Sequence, residues 1–224
     1  MAGKRSYGDR CGIARALDVV GERWALLVVR ELLLGPKRFT DLRAGLPHVG
    51  PDVLSQRLRE LEQSGIVARR KLAPPAGSRV YELTDRGREL EPVILALGRW
   101  GSRAAFPAGA DVFGAESAIL ALKTLFAPPA AGRRFAASYE LRLGEHRFGA
   151  QVTEGRFDVQ RGEVDDPNAI IDTDPATLAS VLWHGRDVAE AQRSGDLKLE
   201  GNRSAANRFF TLFPLQEPAA GVDG

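Results

Sequence analysis

The chain is poor in cysteine and histidine, with one Cys and three His among its 224 residues. The single thiol, Cys11, excludes an intrachain disulfide, and such cysteine usage is typical of a reducing compartment. The start of the chain lacks the apolar core of a secretory signal, and no run approaches the ~18 apolar residues of a membrane span. The sequence therefore predicts a soluble, cytoplasmic protein.

Motifs of common enzyme classes are also missing. The sequence has no P-loop, dinucleotide-binding glycine pattern or Ser-His-Asp order. His48, His146 and His184 lie far apart, without a Cys or acidic partner at metal-ligand spacing. The carboxylates of "EVDDPNAIIDTDP" are more typical of turns and helix N-caps than of a catalytic pair. We expect no catalytic residues, no metal site and no cofactor.

Charge is distributed unevenly along the chain, although the net charge is only +2. Residues 1–103 contain 19 Lys and Arg against 12 Asp and Glu, a net +7, whereas residues 104–224 contain 12 against 17, a net −5. Such a split favours two domains with different partners, the basic one being a candidate for binding phosphate. Because "PAGADVFG" interrupts the pattern, we predict domains over 1–103 and 115–224, joined by a linker over 104–114.

The N-terminal half is mainly helical in its apolar periodicity. The segments "GIARALDVVG", "ERWALLVVRELLLG" and "RFTDLRAGL" precede a fourth helix that starts at Pro51 and ends near Gly65. Either Thr40 or the preceding turn would cap the third helix. The period then changes to 2, so "IVARRKLAPPAGSRVYELT" predicts a β-hairpin. "TDRGRELEPVILALGRWG" returns to helix, with Thr84 as N-cap and a kink at Pro92. This order is that of a winged helix-turn-helix.

The fourth helix has two chemically different faces. On a helical wheel Leu54, Leu58 and Leu61 form an apolar stripe that a neighbouring helix can cover. The opposite face carries hydrogen-bonding groups and one long cation: Asp52, Ser55, Gln56, Arg59 and Gln63. In a DNA major groove Gln pairs with adenine, Arg with guanine and Ser with either, so Ser55, Gln56 and Arg59 are the predicted base-reading residues. A solvated polar face is the alternative interpretation.

Cations follow this helix closely. Those at the start of the hairpin, and Arg79 across its tip, would project from a two-stranded ribbon towards phosphates flanking a groove. Arg57, on the flank of the helix, is suited to phosphate or to packing its stem along the core edge. The predicted phosphate-contacting residues are Arg38, Thr40, Arg57, Arg69, Arg70, Lys71 and Arg79.

Several ordered motifs support this interpretation: a Cys near the start, "GERW", "RFTDL", "LSQRLREL" followed by Gly, and "YELTDRGREL" after the hairpin. With them, Cys11 to Trp100 resembles the HxlR-type winged helix-turn-helix regulators. The resemblance implies a dimeric, bacterial-type transcription factor that binds double-stranded DNA, with Leu54 to Gln63 as recognition helix and Val67 to Leu83 as wing. It also implies dimer contacts around Ile13 to Val20 and Arg86 to Trp100. A two-fold dimer would hold its recognition helices ~34 Å apart and read a pseudo-palindrome.

Cys11 matches in position the N-terminal Cys with which some members of that family sense oxidants or reactive aldehydes. Arg10 and Arg15 nearby would favour its thiolate. The alternative is a small buried hydrophobic residue at a helix start.

The C-terminal half has an α+β pattern. After the helix "AESAILALKTLF", the strands "RRFAASYELRL", "HRFGAQVTEG" and "RFDVQRG" alternate with period 2. One face would carry Phe135, Ala137, Tyr139, Leu141, Phe148, Ala150 and Val152. The strand "NAIIDTD", the helices "PATLASVLWHG" and "VAEAQRSG", the strand "DLKLEG" and the helix "SAANRFFTLF" follow.

"IIDTDPATLASVLWHG" and "GDLKLEGNRSAANRFFTLF" resemble the sterol-carrier-protein-like lipid-binding fold, over about Ala115 to Phe213. That fold implies a curved sheet and helices around an apolar tunnel. The candidate lining residues are Leu122, Phe126, Val181, Leu182, Trp183, Phe209, Phe210 and Phe213. An ordinary core is the alternative for the same residues.

The sequence thus predicts a mixed fold, with a mainly α winged helix-turn-helix followed by an α+β sterol-carrier-protein-like domain. The expected function is that of a homodimeric DNA-binding regulator, modulated by an apolar small molecule that prefers one arrangement of the recognition helices. Two alternatives lack sequence-specific DNA binding. One is a lipid carrier or lipid-dependent enzyme whose basic half docks on acidic partners, and the other is a protein-interaction adaptor.

Overall fold

The computed structural model divides the chain into two units, Met1–Ile94 and Leu95–Gly224. It describes residues 6–72, 77–104, 113–128 and 135–215. Most of the predicted linker and part of the predicted hairpin tip lie outside the described residues. Within those ranges, no helix has the length and apolar character needed to cross a membrane.

The first unit has the predicted order of helices and hairpin. Its elements are α1 Gly12–Val20, α2 Ala25–Leu32, α3 Phe39–Gly45, α4 Pro51–Gln63, β1 Val67–Lys71, β2 Arg79–Leu83 and α5 Asp85–Arg88. A further helix, α6 Glu91–Gly101, begins in this unit and ends in the next. The strands β1 and β2 pair antiparallel, with Arg69 opposite Tyr81 and Lys71 opposite Arg79.

Two helix boundaries show how local chemistry decides the ends. The helix expected after Thr84 is broken between α5 and α6, and Pro92 lies in the first turn of α6, where the missing N–H costs nothing. Thr84 caps α5 as predicted, because its hydroxyl accepts from the Gly87 amide at 3.1 Å. At α3 the Arg38 amide donates to the Asp41 carboxylate at 3.0 Å, so the N-cap residue is Arg38 of the preceding turn, and the side chain that closes the cap is Asp41 of the first helical turn rather than Thr40.

The end of α4 fixes the direction in which the hairpin leaves the helix. Gly65 follows the C-cap Ser64 with φ +70°, a left-handed conformation that costs glycine little. The Ile66 amide donates to the Leu61 carbonyl at 2.9 Å, which closes the helix end. The predicted role of Gly65 is confirmed, and β1 begins only two residues later.

The core of the first unit is aliphatic and contains a buried charge cluster around Glu31. Val28, Val29 and Leu32 of α2 are buried with the leucine stripe of α4. Glu31, only 1% exposed, pairs with Lys37 at 2.7 Å and with Arg30 at 2.8 Å. The backbone of Lys37 also pairs with Tyr81 of β2. This cluster therefore connects α2 to the hairpin.

The second unit is built around one mixed sheet. Its elements are α7 Ala115–Leu125, β3 Ala137–Leu143, β4 His146–Thr153, β5 Arg156–Arg161, β6 Ala169–Thr173, α8 Pro175–Trp183, α9 Val188–Arg193, β7 Lys198–Gly201 and α10 Arg203–Phe209. The strand order is β5-β4-β3-β6-β7, with β3 parallel to β6 and the other neighbours antiparallel. The predicted α+β pattern is confirmed.

The predicted inner face of this sheet is confirmed from Ala137 onwards, whereas Phe135 precedes β3 and is half-buried. Tyr139 lies opposite Ala150 and Leu141 opposite Phe148, and all four side chains are fully buried. Burial raises the pKa of Tyr139 to about 12, so its phenol stays neutral and donates to the Ala205 carbonyl at 3.3 Å.

Candidate nucleic-acid interface

The apolar stripe of α4 holds this helix to the first unit. Leu54, Leu58 and Leu61 are each 0% exposed, as the wheel predicted. Burying three leucines stabilises the helix position by about 1.5–3 kcal/mol for each side chain. The position of the stripe determines which face of α4 points outward.

The outward face carries the three predicted base-reading residues. Gln56 and Arg59 are exposed and Ser55 is half-buried. Gln56 Nε2 donates to Glu60 Oε1 at 2.7 Å, and Arg59 donates to Gln56 Oε1 at 3.0 Å. The two long side chains are therefore linked directly to each other, and Gln56 also contacts Glu60, an acidic partner that sequence reasoning missed. The i to i+4 spacing of Gln56 and Glu60 was the available signal.

Arg57 is too deeply buried to contact a phosphate. Its side chain is only 11% exposed, and it pairs with Glu60 on the same helix and with Glu22 at 3.6 Å. This position matches packing along the core edge, the alternative to a phosphate contact, because the guanidinium is buried beside two carboxylates. Glu22 lies before α2, 35 positions before Arg57 in the sequence. No local spacing could have identified it as a partner of Arg57.

The wing, residues 67–71 and 79–83, carries two kinds of cation: two that form ion pairs and two that do not within the described ranges. Arg69 pairs with Glu62 of α4 at 3.2 Å and lies over the Tyr81 ring, and Arg70 pairs with Glu82 at 3.0 Å. Lys71 and Arg79 are exposed, and within the described ranges neither has an ion-pair partner. The four cations thus differ in how much negative charge lies beside them.

Two further candidates lie at the start of α3. Arg38 and Thr40 are both exposed, and the Thr40 hydroxyl is 3.3 Å from the Asp41 carboxylate. Exposed side chains at this position can hydrogen-bond to phosphate oxygens without moving the core.

Exposed apolar side chains mark the predicted dimer helices. Ile13 of α1 is 72% exposed and Leu17 is 43% exposed. On α6 the same is true of Val93 and Leu97, each 47% exposed, and of Trp100, which is 78% exposed. Cys11 is exposed directly before α1, where its amide donates to the Asp9 carboxylate at 2.9 Å.

The predicted tunnel residues of the second unit have two kinds of environment. Leu122, Phe209 and Phe213 are fully buried, whereas Phe126, Val181, Leu182, Trp183 and Phe210 are half-buried. The rings of Phe126, Phe157, Phe209 and Phe213 contact one another with centroids 4.9 to 6.1 Å apart. Such mutual packing favours the core interpretation for Phe209 and Phe213. Phe157 was missed as a member of this group.

The remaining polar candidates, an acidic segment and three histidines, are not arranged as a catalytic or metal site in the described residues. Asp174 caps α8 by accepting from the amides of Ala176 and Thr177 at 2.8 and 2.9 Å, as expected for this acidic segment. His146 Nδ1 is 3.3 Å from Arg161, while His48 and His184 are exposed. In the part of the chain that the structure describes, no three His, Cys, Asp or Glu side chains are grouped to hold a metal ion.

Known proteins match the helix-turn-helix part of the chain. A family described as HxlR-like helix-turn-helix matches residues 19–107. The HTH-type transcriptional regulator YvaP of Bacillus subtilis (strain 168) is 39% identical over 89 residues, which cover 39% of this chain and 82% of YvaP. The HTH-type transcriptional regulator sll1512 of Synechocystis sp. is 41% identical over 96 residues, 42% of this chain and 70% of that protein.

A solved structure matches the same part. The redox regulator HypR in its oxidized form is 35% identical, with 43% of this chain and 100% of the HypR chain covered and a TM-score of 0.39. Because this chain covers most of the length of YvaP at 39% identity, the family is established by sequence. The chain belongs to the HxlR-like helix-turn-helix family of transcriptional regulators.

Proposed function

We propose that this helix-turn-helix regulator binds operator DNA by placing α4 in the major groove, with Ser55, Gln56 and Arg59 towards the base edges. The observation that carries the proposal is the fixed orientation of α4. Its leucine stripe is 0% exposed, so its hydrogen-bonding face must point away from the core. Gln and Arg on such a face match the donor and acceptor pattern of adenine and guanine.

The wing supplies the phosphate contacts in this proposal. Lys71 and Arg79 are exposed without ion-pair partners in the described residues, so they would gain most from a phosphate. Arg69 and Arg70 must share their charge with Glu62 and Glu82, and they contribute less. Arg38 and Thr40 add contacts from the start of α3.

A two-fold dimer completes the proposed reading unit. Ile13 and Leu17 of α1 and Val93 of α6 expose apolar side chains in the first unit, and a second copy of the chain would cover them. Two recognition helices ~34 Å apart then contact successive major grooves, and the operator is a pseudo-palindrome. A regulator that acts on operators works where the chromosome is, in the cytoplasm.

The proposal is tested by selecting bound duplexes from a randomised pool with the purified full-length protein. We expect a pseudo-palindromic sequence to be enriched and its affinity to fall steeply with salt concentration. Enrichment of no sequence, with binding equally strong to every duplex, would favour the adaptor or carrier alternatives.

We further propose that the second unit, taken as residues 115–224 after a linker over 104–114, is an effector domain for an apolar small molecule. The half-buried apolar side chains of α8, with Phe126 and Phe210, favour this role, because such surface is suited to partial coverage by a ligand. The resemblance to the sterol-carrier-protein-like fold points to a lipid-like ligand. Mass spectrometry of gently purified protein would detect it, and repeated absence of any apolar molecule would contradict the proposal.

Cys11 is the proposed thiol sensor. It is exposed and lies two residues before Ile13, so a modification there would reach the proposed dimer helix. Since the chain has a single cysteine, the oxidised product would be a mixed or intermolecular disulfide. Loss of DNA binding after treatment with diamide, absent in Cys11→Ser, is the expected result. Equal loss in both proteins would contradict this role.

A further inference from the structure

A continuous network of ion pairs and hydrogen bonds between side chains extends from Glu22, before α2, to the outward face of α4. Glu22 pairs with Arg57 at 3.6 Å, and Arg57 pairs with Glu60 on the same helix. Glu60 accepts from Gln56 at 2.7 Å, and Gln56 accepts from Arg59 at 3.0 Å. The buried Arg57 is therefore connected, through Glu60, to the two residues proposed to read bases.

Arg57 is the buried member of this network of side chains. A guanidinium that is only 11% exposed needs carboxylate partners to offset its desolvation. Its Nε is buried without a hydrogen-bond partner among the described residues, which leaves the terminal nitrogens to carry the pairing. Because Glu60 accepts a hydrogen bond from Arg57 whereas Glu22 lies 3.6 Å away, Glu60 is the main counter-ion of Arg57.

Glu60 divides its two oxygens between structure and recognition. Oε2 accepts from Arg57, and Oε1 accepts from Gln56 Nε2. Since Gln56 Oε1 also accepts from Arg59, both ends of the amide are assigned: the nitrogen faces Glu60 and the oxygen faces Arg59. One N–H and one lone pair of Gln56 then remain unused, the donor and acceptor that bidentate pairing with adenine requires.

We propose that Glu60 is a specificity-determining positioning residue: held by Arg57, it fixes the amide of Gln56 so that α4 prefers adenine at one operator position. Glu60 touches no base in this arrangement and acts through Gln56. Without Glu60 the Gln56 nitrogen loses its acceptor, and only the exposed Arg59 still restrains the amide. The amide can then offer its donor and acceptor in either order more often, which relaxes the preference. This proposal rests on the proposed function, since it requires α4 to read bases.

Charge provides an independent expectation. The carboxylate of Glu60 beside a phosphate backbone is unfavourable except for the charge of Arg57 next to it. Replacing Glu60 should therefore leave or raise the affinity for random duplex while it lowers discrimination. A residue needed only for folding would lower both together.

The experiment compares full-length wild type, Glu60→Ala, Gln56→Ala and the double variant. The probes are four duplexes of the selected operator that differ only at the position whose preference Gln56→Ala abolishes. Glu62→Ala is the matched control, because Glu62 is also an acid of α4 but pairs with Arg69 of the wing. Thermal unfolding of each variant shows that it is folded at the assay temperature.

We expect Glu60→Ala to reduce discrimination at that position by about ten-fold. We expect the double variant to match Gln56→Ala alone, because the two residues act as one unit. Glu62→Ala should leave the base preference unchanged. Retained preference in Glu60→Ala, or a loss at a different base position, would overturn the proposal. If wild type itself shows no base preference at any position, the proposed function fails instead.

Discussion

Arg70 and Glu82 lie diagonally across the two strands of the wing, with the guanidinium Nε 3.0 Å from the carboxylate Oε2. Both side chains are partly exposed, at 51% and 25%. Arg70 therefore lies on the wing, which is proposed to contact phosphates, but the carboxylate of Glu82 partly offsets its charge.

Replacing Glu82 with Gln should therefore strengthen DNA binding. We expect the affinity for every duplex to rise by ~2- to 5-fold, because an exposed ion pair contributes about 0.2–1 kcal/mol. Glu89→Gln is the matched control, since it removes the same charge from an exposed residue without an ion-pair partner in the described chain. Fluorescence anisotropy at fixed salt measures both, and an equal gain in the two variants would show that Arg70 contacts no phosphate.

The exposed apolar surface of α1 should be required for the dimer. Ile13→Ser should raise the dimer dissociation constant by ~10- to 30-fold, as expected for an apolar residue at the centre of an interface. Val53→Ser, which removes a 44% exposed apolar side chain from α4, serves as the control and should leave the dimer intact. Sedimentation equilibrium measures the dissociation constant, and an unchanged value for Ile13→Ser would place the dimer contact elsewhere.

Asp174 should stabilise the second unit in a pH-dependent way. Partial burial acts to raise the pKa of this carboxyl, but hydrogen bonds from the Thr177 hydroxyl and from the amides of Thr177 and Ala176 outweigh it and hold the pKa below 3.8. The folded state therefore prefers the carboxylate. This stabilisation is fully present above pH 3.8 and is lost as the pH falls through the lower pKa of the folded state.

We expect Asp174→Ala to lower the free energy of unfolding by ~1 kcal/mol, the usual cost of losing an N-cap. Asp174→Asn keeps an acceptor without the charge, so its deficit against wild type should shrink as the pH falls from 7 to 3. Hydrogen exchange of α8, compared between variant and wild type at each pH, reports the difference. A deficit that does not change with pH would assign the effect to packing.

Local periodicity was enough to predict the extent and the buried face of α4. The spacing of Leu54, Leu58 and Leu61 and the helix-ending Gly65 follow from α-helical geometry and backbone conformation alone. The change to period 2 after Gly65 predicted the wing in the same way. These features depend on neighbours within a few residues.

Partners distant in sequence could not be predicted. Arg57 is buried and pairs with Glu22, which lies before α2. A helical wheel that placed Arg57 on a flank gave no way to choose between phosphate and core. The acids beside Arg69 and Arg70 depend on the register of the wing with α4 and β2. In the second unit, the contact of Phe157 with Phe213 joins a strand to the segment after α10 and has no sequence signal.

The division of labour between α4 and the wing is tested most directly by measuring the affinity of Gln56→Ala and Lys71→Ala for the selected operator and its single-base variants at several salt concentrations. We predict that Gln56→Ala loses preference at one base position, by ~1–3 kcal/mol, with an unchanged salt slope. Lys71→Ala should weaken binding to all sequences alike and lower the slope by about 0.9. If both variants lost the same affinity on every sequence, the separate roles proposed for α4 and the wing would be wrong.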